Sequence, residues 1–185
     1  MNPMLIYSSK TGFTEKYAHS LAEQLSIQAH KLEDIKDFEK FTQGKDTLIY
    51  GGGLYASGID GFKSLQNRLP LEALRHLLVF TTGLSLPSDA VKQDVYGKNL
   101  VGLEGPSISF YYLRGGFHYQ RLGKLDKFLM RLLKMRIDHK KKRGTPLNED
   151  EKGMLAVFYR EVDFTNMNDL QPLLQDIYAL KRSHK

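Results

Sequence analysis

The 185-residue chain contains no cysteine. Without thiols there can be no disulfide, no thiol nucleophile, no Cys-ligated zinc and no iron–sulfur cluster, so any redox chemistry must rest on a bound organic group. Long apolar runs are missing too. No stretch approaches the roughly 18 residues needed to cross a bilayer, and no basic segment followed by an apolar run marks a secretory signal. A cytoplasmic protein is therefore the expectation. Two nucleotide signatures are absent: there is no G-x-x-x-x-G-K-[ST], and no G-x-G-x-x-G follows the first apolar run. No His/Asp/Glu grouping has metal-ligand spacing and no nucleophile–base pair stands out, so no metal is expected and no catalytic side chain can be named.

What is present reads as one globular domain spanning residues 1–185, with 41% hydrophobic and 26% charged residues. Met4–Ser8 is a short apolar run suited to a buried parallel strand. A Ser/Thr/Gly turn follows, and Thr14 is expected to cap a helix whose apolar face is Ala18, Leu21, Ala22 and Leu25. Further strands are expected at Gln28–Leu32, Thr47–Tyr50, His76–Thr81 and Ser107–Leu113. Helices are expected around Ile35–Phe41, Gly61–Arg68, Ser88–Val95 and Asn168–Lys181. This alternation implies right-handed crossovers, an α/β fold and a parallel sheet.

The segment SSKTGFT, Ser8–Thr14, lies between the first strand and the first helix. Ser9, Thr11 and Thr14 carry hydroxyls that can donate to anionic oxygens, Gly12 tolerates positive φ, and a helix N-terminus favours negative charge. Taken alone, the segment suits a ligand-free Ser/Thr cap equally well. A phospho-accepting receiver would need acids at the ends of the first and third strands, where this chain has Ser8 and Gly51.

Here the chain resembles the flavodoxins. Their FMN-phosphate loop, [ST]-x-T-G-x-T, is matched by Ser9–Thr14, and two further loops follow in the family's order: GGGLYASG, Gly51–Gly58, after the third strand and TTGLSLP, Thr82–Pro87 (with Thr81 ahead of it closing the strand), after the fourth. The resemblance implies a doubly wound five-stranded parallel sheet of order 2-1-3-4-5, with helices on both faces and FMN as cofactor. The residues it implies as cofactor-binding are Ser9, Lys10, Thr11, Gly12, Phe13, Thr14, Gly52, Gly53, Leu54, Tyr55, Ala56, Thr82, Gly83 and Leu84. Tyr55 is the stacking candidate; without the resemblance it reads as a surface loop tyrosine. The loop after the fourth strand lacks the acids and cysteine common in electron-carrying flavodoxins.

Charge is concentrated in one place. Between Arg114 and Arg143 there are 11 Lys and Arg against Asp126 and Asp138, a balance of +9, while the rest of the chain sums to −3. Residues 114–160 read as a basic helical insertion on the five-stranded core. Carrier flavodoxins are typically acidic because they dock on basic partners, so a pI of about 9.3 argues against that role. Within the insertion, Leu125, Phe128, Leu129, Leu132 and Leu133 recur at helical spacing, widened by Met130, Met135 and Ile137. Lys124, Lys127, Arg131 and Lys134 mark another face. Two readings stand at this point: a cover whose apolar face packs on the core, or a cationic amphipathic helix for peripheral membrane contact through Lys124–Arg143, on the inner membrane face.

Tyr111–Met135, YYLRGGFHYQRLGKLDKFLMRLLKM, and the later EVDFTNMNDLQPLLQDI are similar to the menaquinone-dependent protoporphyrinogen dehydrogenase branch of flavodoxin-fold enzymes, which carry a long insertion before the last helix. That similarity implies electron transfer from an organic substrate of porphyrinogen type to a quinone. Arg114 and Arg121 could then pair with propionates, and Tyr119 could form part of an aromatic wall. The alternatives are a non-enzymatic electron carrier and a basic membrane- or partner-binding module. No nucleic-acid partner is expected, and a homo-oligomer is left open. His118 and His139 read as surface groups.

Overall fold

The computed structural model describes residues 1–55, 57–147, 155, 158 and 160–183, with only the backbone of Leu125. Five strands run parallel: β1 (Pro3–Ser8), β2 (Ala29–Lys31), β3 (Thr47–Tyr55), β5 (His76–Gly83) and β6 (Ser107–Arg114), in the order β2-β1-β3-β5-β6. Counting the parallel strands alone, this is the expected 2-1-3-4-5 order. β1, β3 and β5 lie inside the sheet and are covered on both faces, which is why they read as unbroken apolar runs rather than alternating ones.

Both faces are clothed. On one side, α2 (Phe38–Thr42), α3 (Phe62–Gln66) and α4 (Asp89–Asn99) cover a core that includes Ile6, Leu48, Tyr50, Leu65, Leu77 and Val95. On the other, α1 (Phe13–Leu25) and α6 (Gln171–Ser183) close over Leu5, Ile49, Phe80, Tyr17, Leu21, Leu174 and Ile177. The apolar stripe expected for the first helix is the one buried here, and the last helix buries Leu173, Leu174 and Ile177.

Three local expectations change. The cap of α1 is Gly12, in the left-handed region at φ 91°, with no side-chain cap bond; Thr14 lies inside the first turn and is buried. The glycine run is not a loop. β3 continues through Gly51–Tyr55 and folds back on the antiparallel strand β4 (Gly58–Ile59). The glycines allow this because side chains fill the space beside them. A Cβ on Gly51 would lie 2.2 Å from the Phe80 ring, and one on Gly52 would lie 2.5 Å from Ile59. The third change concerns the insertion.

After β6 the chain forms β7 (Gly116–Phe117), a 3-10 turn at Tyr119–Arg121 and the long helix α5 (Lys124–Lys142). It returns through β8 (Val162–Asp163), antiparallel to β7. Among the described side chains of α5, Ile137 is buried and Met130 half-buried; Phe128, Leu129, Leu132, Leu133 and Met135 are exposed. Lys127 and Lys134 instead turn toward the body. Lys127 Nζ donates to the Gln120 carbonyl, while Lys134 pairs with Asp138 and lies 5.8 Å from the Phe158 ring centre. Among the described side chains, most of the apolar face therefore points outward, with Ile137 turned in.

Candidate functional site

The carboxyl ends of β1, β3, β5 and β6 meet at one edge of the sheet, where doubly wound folds bind ligands. At β1 the chain leaves through Ser8, whose Oγ donates to Asp60 Oδ2 at 2.6 Å. Ser9 Oγ then accepts from the amides of Gly12 (3.1 Å) and Glu15 (3.4 Å), gathering the N–H groups at the start of α1 around one oxygen. Positive φ at Gly12 makes this turn, and only a residue without Cβ adopts it readily. Phe13 is buried beneath Gly116, where a Cβ would come within 2.4 Å of the ring.

Residues from α1, β3 and β5 converge behind this loop. Thr14 Oγ1 and Thr82 Oγ1 share a buried hydrogen bond of 2.7 Å, and the Cβ position of Gly53 lies 3.6 Å from Thr14 Oγ1. Strand alternation decides which of the glycine-run residues join them. Gly53 and Tyr55 fall on the Thr14 side. Leu54 pairs with Ile59 and packs on the opposite core, where Gly52 also meets Ile59. Ala56 lies outside the described residues.

Tyr55 is held at the rim. Burial, aided by the charges of Asp60 and Asp126 and opposed by a hydrogen bond with Thr11, pushes its phenol up to about 12. The Lys10 ammonium sits 4.6 Å from its ring centre and pairs with Asp126 (3.0 Å) and Asp60 (3.7 Å). Lys10, Thr11 and Tyr55 thus form one cluster beside the Gly12 amides.

The β5 end supplies the opposite rim. Gly83 lies against the Tyr112 hydroxyl, 2.2 Å from where a Cβ would be, and its carbonyl accepts from Gly115 N at 2.8 Å. The Leu84 carbonyl accepts weakly from Arg114 Nη2 at 3.4 Å. Arg114 stacks 3.9 Å over the Phe164 ring, and among the described residues its buried Nε has no hydrogen-bond partner. A buried guanidinium N–H without an acceptor is costly in a ligand-free fold and points to an acceptor brought by a ligand.

The insertion reaches into the same edge. Arg121 Nη1 donates to the Thr11 carbonyl at 3.3 Å and lies 3.5 Å from the Cβ position of Gly12. Arg121 therefore stands beside the Ser9–Thr14 loop. Tyr119 turns into the insertion, its hydroxyl accepting from Arg131 Nε at 3.0 Å and its ring 5.1 Å from Phe158. Asp60, Asp126 and Glu161 were not singled out by the sequence, yet they hold Lys10, Arg121 and His118 in place. Their partners lie far along the chain, so no local spacing marks them. Among the described residues no group of His, Asp or Glu is placed to hold a metal ion.

A flavodoxin-domain family model matches residues 4–145. The chain belongs to the flavodoxin family. No curated protein matches it. Among solved structures, a flavodoxin described as a WrbA-like protein from Agrobacterium tumefaciens is similar at 18% identity and a TM-score of 0.41, over 53% of this chain and 73% of that one. That likeness is too slight to carry function.

As a flavodoxin, this protein binds FMN, and the edge suits it. The Ser9–Thr14 loop, with the positive end of α1 and Arg121 beside it, would hold the phosphate. Gly53, Thr82 and Gly83 line the edge where the ring is expected, Tyr55 would flank it, and Arg114 Nε would offer a donor. FMN, when bound, supplies hydride or single-electron transfer. The side chains of this edge would bind and orient it, with Phe13, Tyr112 and Phe117 buried close by. At the coarse level the protein is thus an FMN-binding flavodoxin-type oxidoreductase or electron carrier. Among the described residues, no helix is long and apolar enough to cross a membrane.

Proposed function

We propose that the protein is an FMN-dependent oxidoreductase that takes electrons from an organic substrate of the porphyrinogen class and passes them to a quinone. The observation that supports this is the reach of the basic insertion back to the cofactor edge: Arg121 on the Thr11 carbonyl, Asp126 on Lys10 and Arg114 against Leu84. A mobile carrier keeps that edge open for docking. Here the edge is roofed by cationic groups able to pair with carboxylates of a substrate. The net charge of +6 supports the same reading, since it does not suit docking on basic partners.

The test is anaerobic. Oxidised, FMN-loaded protein is mixed with protoporphyrinogen, and photoreduced protein with a menaquinone analogue, each followed at the flavin absorbance. Both half-reactions are expected to run faster than with free FMN at equal concentration. If neither does, the proposed reaction is wrong, although FMN binding would stand.

A further inference from the structure

Helix α5 carries a feature that flavin chemistry does not use. Phe128, Leu129, Leu132, Leu133 and Met135 are 57%, 52%, 46%, 41% and 65% exposed. Their spacing of one, three, one and two residues makes a single stripe along the outer side of the helix. Monomeric soluble proteins rarely leave such a contiguous apolar stripe in water. Exposed cations border it: Lys124 and Arg131 toward the N-terminal half, Arg136 and Lys142 toward the C-terminal half, with Arg143 just past the end.

We propose that α5 docks this protein on an anionic lipid surface, the apolar stripe entering the headgroup–acyl boundary and the flanking Lys and Arg meeting lipid phosphates. Charge decides among the occupants. A second copy would bring the same +9 segment against this one, so self-association through α5 is opposed by like charge. Protein interfaces are depleted in Lys, whereas four of the last five residues through Arg143 are Lys or Arg in an unbroken run. A convex apolar stripe flanked by flexible basic stems is what an interfacial helix presents to a bilayer, the stems allowing the charges to reach the headgroups.

The anchoring of α5 gives the docking an orientation. Its first turn is tied to the anion loop by Asp126 on Lys10, and the turn before it by Arg121 on the Thr11 carbonyl. Docking through α5 therefore brings the cofactor edge close to the lipid. The docking itself does not depend on the reaction proposed above.

The experiment is vesicle co-sedimentation of the FMN-loaded full chain with phosphatidylglycerol/phosphatidylcholine vesicles and with phosphatidylcholine alone. The parent should bind the anionic vesicles at least ten-fold more tightly than the neutral ones. Phe128→Ser/Leu132→Ser should lose at least ten-fold of that binding, and so should Lys124→Gln/Arg136→Gln/Lys142→Gln. All of these side chains are exposed, so far-UV circular dichroism and FMN affinity should be unchanged, which separates lost docking from lost fold. No binding of the parent to anionic vesicles, or undiminished binding by the two-residue apolar variant, overturns the proposal. So does a parent dimer, seen by sedimentation velocity, that the apolar variant converts to monomer.

Discussion

Arg121 allows a prediction that separates phosphate recognition from general flavin binding. Its guanidinium lies 3.3 Å from the Thr11 carbonyl and 3.5 Å from the Cβ position of Gly12, and its side chain is 52% exposed. A hydrogen bond to a charged group contributes about 1.5–3 kcal/mol when well sheltered. Half-exposure and solvent screening reduce this to about 1–1.5 kcal/mol. Arg121→Gln should therefore weaken FMN binding about 5- to 10-fold. Riboflavin has the same ring and ribityl chain but no phosphate, so its affinity should change by less than about two-fold on this reasoning. The assay is quenching of flavin fluorescence, titrated with each flavin at low and at high salt; the FMN difference should shrink as salt shortens the Debye length. An equal loss for FMN and riboflavin, or no loss for FMN, would refute the placement of Arg121 at the phosphate.

Other perturbations probe the scaffold. Thr82→Val leaves the buried Thr14 hydroxyl without its 2.7 Å partner and should cost about 1–3 kcal/mol in urea unfolding, with an unchanged m-value. Gly51→Ala drives a Cβ to within 2.2 Å of the fully buried Phe80 ring and should cost about 1–3 kcal/mol; adding Phe80→Leu should cost less in that background than alone, and simple additivity would contradict the contact. Asp163 is raised by partial burial, but hydrogen bonds from Lys16 and from the Thr165 amide and hydroxyl outweigh this and hold it below the usual carboxylate range. Its contribution is therefore present above the unfolded carboxylate pKa, near 4, and lost as pH falls through the lower folded value. Asp163→Asn should unfold more readily than the parent at about pH 7 and match it near about pH 2, and a gap that persists in acid would speak against this linkage.

The strands were legible from local signals, whereas their order and the anion loop rested on the resemblance of Ser9–Thr14 and the two later loops to the flavodoxins. Buried parallel strands announce themselves as apolar runs, and the Ser9–Thr14 turn carries its own chemistry. What escaped was set by distant partners. Gly51–Tyr55 reads as a loop until Phe80 and Ile59 are placed beside it, which makes extended chain the better-packed choice. Thr14 looks like a cap, but Thr82, 68 residues away, draws its hydroxyl inward and leaves capping to the backbone at Gly12. Leu54 and Tyr55 are neighbours in the motif, yet the pleat sends them to opposite faces. For α5 the periodicity was plain and its direction was not, since an amphipathic pattern fixes a face without saying what it faces.

FMN is expected at the edge built from Ser9–Thr14, Gly53, Tyr55 and Thr82–Leu84. The most direct measurement is an equilibrium titration of the protein with FMN, read by flavin fluorescence and the visible absorption spectrum. A stoichiometric, quenched and spectrally shifted complex is expected, weakened by substitution of Gly12 and strongly preferred over riboflavin. A colourless protein that FMN cannot reconstitute would contradict it.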